Sequence, residues 1–295
     1  MQLSDLDSEQ FKIKVVRDGK FLSLGSFNLK NPYQLVFIDS EKFLPNLKKY
    51  PTYSCVITKE EFIPSIPKEM GISLSLNPMV SFYAIHNFWV KEGVYGGHFP
   101  SKISDKATVH RLAHVDPYNV IIGDGCIVYP HAVIHSGSVL KENVIIGSGA
   151  VIGNDGFRFI KDRDNIIKVL HAGGVVLHND VEIQANACVC KAVYRNNTEI
   201  GEKTKIGVLV DISHNVQIGK RCLIVDHTMI AGGAEIGDDV WIGTGAVISD
   251  HVKIGDNAFV SIGAIVTKDV RSGQKVSGNF AIDHAKFLDF IRSIR

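Results

Sequence analysis

The chain has 295 residues, 45% of them hydrophobic, with 32 basic side chains against 31 acidic ones and a formal net charge of +1. This balance argues against a nucleic-acid partner, which needs a basic face, and no apolar run approaches the roughly 18 to 20 residues of a membrane span. The opening MQLSDLDSEQFKIKVV lacks the basic-then-apolar layout of an export signal, and the five cysteines form no pairing framework, so a reduced cytoplasmic protein is expected.

In chain order, FKIKVV (Phe11–Val16), QLVFID (Gln34–Asp39) and SCVIT (Ser54–Thr58) are predicted strands, rich in β-branched and aromatic residues. SEKFLPNL and SFYAIHNFW carry apolar residues at helical spacing. Gly93, Gly96, Gly97 and Pro100 read as a linker, which makes residues 1–97 a small α/β domain.

Beyond it a six-residue clock begins. From Ile200 the aliphatic residues Ile206, Ile212, Ile218, Ile224, Ile230, Ile236, Ile242, Ile248, Ile254, Val260 and Val266 recur at every sixth place. A small residue usually follows each, and a small or β-branched one comes four places on. An earlier register runs through Ile103, Val109, Val115, Ile121, Ile127, Val133, Val139, Ile145 and Val151, one residue out of phase. Period six fits neither a helix nor a flat strand, but a short strand plus a corner, three of which close a triangular coil. The expected fold is therefore mainly β: a left-handed parallel β-helix of hexapeptide repeats over residues 98–276. On this reading the aliphatic residues face inward, and many of the 27 glycines supply the backbone angles of the corners. A loop insertion near 153–176 breaks the count, with Phe157 and Phe159 as its expected apolar anchors. The last segment, 277–295, reads as a short amphipathic helix.

A β-helix alone predicts no activity. His214, in DISHNVQIG, takes an outward position, where a neutral imidazole can accept a proton near working pH. A solvent-exposed histidine on a strand is the other reading, and position alone does not choose. Asp250 repeats the place of His214 two coils on, about 9 to 10 Å away, with His251 beside it. Asp226 and His227 fall on another face, and Asp211 is near enough in sequence to orient the imidazole. The loop GNDGFRFIKDRDN is either a site wall or a surface insertion. Cys188 and Cys190 share one face of a strand, and without a further pair or a histidine at ligand spacing they read as packed thiols, not a metal centre. His214, His227 and His251 likewise lack the spacing of a three-histidine metal site.

Taken together, QLVFIDSEKFLPNL, Asn77-Pro78, NDGF (Asn154–Phe157), DISHNVQIG, SDHVKIGD and VSGNFAIDHAKFL resemble the UDP-3-O-acylglucosamine N-acyltransferases of lipid A and lipopolysaccharide synthesis. The resemblance implies a homotrimer that moves an acyl group from a thioester carrier to the amine of a nucleotide-linked amino sugar. The co-substrate would be acyl carrier protein or coenzyme A, with no bound cofactor. By the same resemblance His214 matches the general base, and His251 a second histidine of the site. Asp155, Gly156 and Phe157 match the substrate loop, while Asp226, His227 and Asp250 are further substrate candidates. Phe37 matches an aromatic of the nucleotide-binding segment, in which Ser40 and Phe43 stand where the family has asparagine and tyrosine. CVCKAVYR (Cys188–Arg195) replaces the family's TTIDRG. The tail from Ile262 to Val270 also resembles coenzyme A-dependent hexapeptide transferases, which makes Gly263 and Lys268 candidate acyl-donor contacts. Acetyl-CoA-dependent N-acetyl transfer is one rival, and a non-catalytic trimeric scaffold is a rival of another class.

Overall fold

The computed structural model describes residues 1–6, 8–25, 32–49, 52–278 and 283–294, which fall into two compact units. The first comprises Met1–Gly97, Phe157–Ala172 and Val193–Arg195. Its sheet contains β1 (Lys14–Arg17), β2 (Ser23–Leu24), β3 (Gln34–Ile38), β4 (Tyr53–Thr58) and β5 (Gly71–Leu74), in the order β1-β5-β4-β3-β2. Only the β1–β5 pair is antiparallel. Helices α1 (Ser8–Phe11), α2 (Leu44–Lys49) and α3 (Pro78–Lys91) accompany the sheet. Asn77 caps α3 by accepting a hydrogen bond from the Val80 N–H at 3.3 Å, and Pro78 supplies a first-turn residue that needs no donor. Phe82, Ile85 and Trp89, at helical spacing, bury one side of α3 in the core of this unit.

The segment after Gly156, read from sequence as part of the β-helix, packs in the first unit. It forms an antiparallel hairpin between Phe159–Asp162 and Asn165–Lys168. Its anchors are Ile160 and Val169, which join the cluster of Phe82, Tyr83 and Tyr194, and not the two phenylalanines. Phe157 is 89% exposed and meets half-exposed Phe159 in a tilted ring contact, with centroids 4.9 Å apart. Strand alternation decides this outcome: Ile160 faces inward, so its neighbour Phe159 faces out.

The second unit is the parallel β-helix that the hexad clock predicts. Among the described residues it has three parallel sheets of nine, eight and eight strands, visited in turn by each coil. These are called the first, second and third faces, typified by Leu223–Ile224, Met229–Ile230 and Glu235–Ile236. From Ile122 to Val266 the second residue of each two-residue strand is buried, and these side chains form one stacked core, with Val109, Val115 and Val276 partly buried against its ends. Each such isoleucine contributes roughly 1.5 to 3 kcal/mol by leaving water.

Two details of the clock are corrected. The inward residue of the early register is not Ile121 but Ile122, and then Val128, Ile134, Leu140, Ile146 and Ile152. Ile121 is 36% exposed against 2% for Ile122. The first coil is one residue longer than the second, since Ile103 pairs with Ile122 whereas Ile122 pairs with Leu140. The extra residue falls in the corner holding Pro117 and Asn119, and a one-residue slip reverses the face of every side chain after it. The early and late registers are therefore in phase. The interruption between them is two insertions, because Leu140 pairs with Leu177 and Leu177 with Ile200.

The corner glycines act in two ways. Gly201 and Gly243, directly after the inward residue, do not have left-handed backbone; a Cβ there would meet backbone of the next coil at 2.5 and 2.7 Å. The left-handed angles come two residues later, on Lys203, Leu209, Asn215, Arg221, His227, Asp239, His251 and Asn257, with φ from 56° to 64°, and on Gly233, Gly245 and Gly263, with φ from 64° to 70°. A hydrogen bond from the residue's own N–H to the preceding coil accompanies this costly conformation, as from His227 N to Val208 O at 2.9 Å.

The terminal helix α4 (His284–Ser293) starts at Asp283, whose carboxylate accepts from the N–H groups of Ala285 and Lys286. Positions 279–282 of the VSGNFAIDHAKFL segment lie outside the described residues.

Candidate active site

The site is built on the corner between the second and third faces. Ile212 is buried in the prism, which holds the register of the strand Asp211–Ile212 and sets His214 two residues on, at the corner. Asn215 follows at φ 64°. Its N–H donates to Thr198 Oγ1 at 2.9 Å, where most other corners bond to a backbone carbonyl. The Asn215 side-chain amide donates to Asn196 Oδ1 at 3.0 Å, which turns its own Oδ1 towards His214 Nδ1 at 3.1 Å. This network assigns the proton to Nδ1 and leaves the lone pair on Nε2, the tautomer a general base requires.

Room for the imidazole comes from the next coil. A Cβ on Gly232 would stand 2.7 Å from His214 Cε1, and one on Gly233 would stand 2.6 Å from His251 Nδ1. His214, Gly232 and Asp250 thus occupy one column of the corner, with Asn215, Gly233 and His251 beside them. The Gly232 N–H donates to no atom among the described residues. At the matching place on other corners, Val208, Lys220 and Asp238 give this N–H to an aspartate of the following coil. Asp250 accepts from Ser249 Oγ at 3.2 Å.

The other candidates are distributed more widely. Lys268 is exposed one coil beyond Asp250 on the same corner, as its strand Ile265–Val266 pairs in register with Val247–Ile248. Gly263 lies at the corner between the first and second faces, so it and Lys268 are not brought together. Asp226 and His227 share that first corner. The Asp226 carboxylate is engaged in accepting the Val208 N–H at 2.8 Å, while His227 is exposed. Beside this corner runs a shallow groove lined by Trp241, Thr244, Phe259, Ile262 and Lys275, with the two aromatic rings stacked 5.9 Å apart. A second groove, lined by Leu47, Tyr53 and Met70, lies in the first unit, and neither groove includes His214.

In the loop, Asp155 pairs with Lys191 at 3.2 Å. Within the first unit, Phe37 packs on Phe82 and Tyr83, whereas Phe43 joins a different cluster with Leu47 and Ile66. Ser40 begins a short 3-10 turn without capping it through its side chain. Phe37 and Phe43 therefore pack against different clusters of this unit.

Sequence reasoning missed Asn215, Thr198, Asn196 and Gly232 as neighbours of the imidazole. The one available signal was the Gly232-Gly233 pair, the sole double glycine in the late repeats. It also missed what the fold adds to the cysteine pair. Cys188 pairs in register with Asp211, and the two thiols and the carboxylate lie within 4.8 Å of one another. Burial raises the carboxyl of Asp211 above the usual range. A hydrogen bond between the thiols draws the Cys188 proton off more readily and holds the one on Cys190.

The fold is a parallel β-helix of hexad repeats, and a family model described as bacterial transferase hexapeptide (six repeats) matches residues 119–154 and 233–268. The family the chain resembles is that of the UDP-3-O-acylglucosamine N-acyltransferases. It is 46% identical over 80 residues to UDP-3-O-acylglucosamine N-acyltransferase 2 of Legionella pneumophila, covering 27% of this chain and 23% of that one. Similarity to the UDP-3-O-acylglucosamine N-acyltransferase of Helicobacter pylori is 27% over 242 residues, covering 73% and 70%. Among solved structures, a UDP-N-acetylglucosamine acyltransferase from Campylobacter jejuni aligns at TM-score 0.49 and 19% identity, covering 67% of this chain and 82% of that one. The more identical matches span only 23% to 33% of the relatives' length. Among the described residues, no helix is long and apolar enough to cross a membrane.

Proposed function

We propose that the protein is an N-acyltransferase that moves an acyl group from a thioester carrier to the amine of a nucleotide-linked amino sugar. The observation that carries this reading is the His214 corner. There an imidazole is fixed through Nδ1 by Asn215, and one coil on lies the Gly232 N–H, which has no partner among the described residues. The names of the relatives supply the substrate class. In the reaction the amine nitrogen attacks the thioester carbonyl, a C–N bond forms and the C–S bond breaks. His214 Nε2 takes the proton lost by the nitrogen and returns it to the departing thiolate. The Gly232 N–H donates to the carbonyl oxygen as it gains charge, an interaction worth about 3 to 4 kcal/mol when well placed. Holding two large substrates together provides much of the remaining acceleration.

The corner of a triangular prism is convex and offers one wall. A homotrimer completes the site with a neighbouring copy, and His251, Asp250 and the Asp155–Phe157 loop contact the sugar. In this reading the first unit holds the nucleotide through the Phe37–Phe43 segment, and the protein works in the cytoplasm. A second donor class, coenzyme A, is favoured by the exposed ammonium of Lys268 on the same corner, placed to meet a phosphate.

The test is an acyl-transfer assay crossing UDP-, dTDP- and GDP-linked amino sugars with acyl carrier protein and coenzyme A thioesters. Product with a nucleotide-linked amine and a thioester donor is expected. Failure of every pair, with no thermal shift on any nucleotide sugar, supports the scaffold instead.

A further inference from the structure

A thiol pair that merely fills space needs no acid beside it. Val189 is fully buried in the prism, so Cys188 and Cys190 on either side of it project from the outer surface of the same strand. The next coil places Asp211 directly against Cys188. Insertion of a few residues between Leu177 and Ile200 sets that register, so the carboxylate meets the thiols only because this coil is longer than its neighbours. The Asp211 carboxylate accepts no hydrogen bond and pairs with no cation among the described residues, although it is half buried. The nearby ammonium of Lys191 is committed to Asp155. A partly buried acid beside two sulfurs, with no positive partner of its own among the described residues, is stabilised when a cation joins them.

We infer that Cys188, Cys190 and Asp211 form a binding site for one thiophilic divalent cation of the zinc type. The three donor atoms lie within 4.8 Å of one another, and two thiolates bound to tetrahedral zinc at ~2.3 Å stand about 3.8 Å apart, so small side-chain rotations suffice. Two sulfurs favour a soft or borderline ion over magnesium or calcium, which prefer all-oxygen sites. On binding, each thiol releases its proton to solvent. The two thiolates and the carboxylate then occupy three tetrahedral positions, leaving the fourth to water. This assignment does not depend on the acyl-transfer reading.

The experiment uses the full chain, reduced and stripped with a chelator. Zinc is titrated against a chromophoric competitor, and cobalt(II) is added separately as a spectroscopic probe. The expected result is one zinc per chain, with a thiolate-to-cobalt charge-transfer band and the strong visible bands of a tetrahedral ion. Cys190→Ser should weaken binding by more than the roughly 10- to 100-fold typical of losing an outer hydrogen-bond partner. Asp211→Asn, at a partly exposed position, should weaken binding and shift the visible cobalt bands even if Cys190→Ser proves unstable. Cys126→Ser, remote in the core, should bind as the parent does. Absence of the charge-transfer band in the parent chain overturns the assignment, as does a band that survives in both Cys190→Ser and Asp211→Asn.

Discussion

The imidazole of His214 lies over the backbone of Gly232, one coil further along, so closely that a methyl group at position 232 would stand 2.7 Å from Cε1 and 3.0 Å from Nε2. The atoms in the way belong to a side chain, and Gly232 has no left-handed φ. Gly232→Ala should therefore move the ring and leave the coil intact. A displacement near 1 Å costs about 100-fold in rate. The expected result is a fall of that order in kcat/KM with the melting temperature little changed; full activity would show that the ring position is immaterial.

Asn215 fixes which imidazole nitrogen carries the proton. In Asn215→Asp the acceptor remains and becomes charged, which stabilises the imidazolium and raises the pKa of His214. A base works only when neutral, so the acid limb of the pH–rate profile should move to higher pH. Asn215→Ala should lower kcat without that displacement. If Asn215→Asp leaves the acid limb unmoved, the two side chains are not coupled.

The corrected phase of the early coils predicts a contrast between neighbours. Ile122→Ala removes buried methyl groups from the prism and should destabilise the chain by about 2 to 5 kcal/mol in urea titrations, whereas Ile121→Ala should cost under ~1 kcal/mol. The reverse order would restore the original register.

His86 provides a pH dependence of stability. Its ring is enclosed, with Nε2–H donating to Leu170 O at 2.7 Å and Nδ1 accepting from Tyr95 O–H at 2.8 Å. Burial lowers its pKa from 6.5 to about 4. The unfolded chain therefore binds a proton between these values that the folded chain refuses, and stability falls as pH drops from about 6.5 to about 4. The loss is roughly 3 kcal/mol at one and a third per pH unit, and it stops below the folded value. His86→Gln should flatten this part of the stability profile relative to the parent chain. Parallel profiles would place the ring's proton elsewhere.

The triangular coil was legible because its core needs an aliphatic side chain at every turn of the clock. Phase was not legible at Ile121–Ile122 or Ile145–Ile146, where both residues are aliphatic and only the pleat decides which one turns inward. The hairpin after Phe159 was likewise hidden, since its inward residue, Ile160, is less conspicuous than the two phenylalanines. His214 could be singled out from its place in the repeat, but not the residues that aim it. An 18-residue count back from His214 lands on Asn196, but spacing alone does not show that it is Asn215 which bonds Asn196 and Thr198 and so aims the imidazole. The longer coil between Leu177 and Ile200 brings Asp211 to Cys188, a third donor invisible to spacing along the chain.

The central claim is that the His214 side chain takes the proton during acyl transfer. Its most direct test is the turnover of His214→Ala beside the parent chain, with the pair of substrates that the parent uses best. A loss of roughly 100- to 10,000-fold, the usual contribution of a general base, is predicted, with the melting temperature and oligomeric state retained. Near-parental turnover by the folded variant would contradict the account.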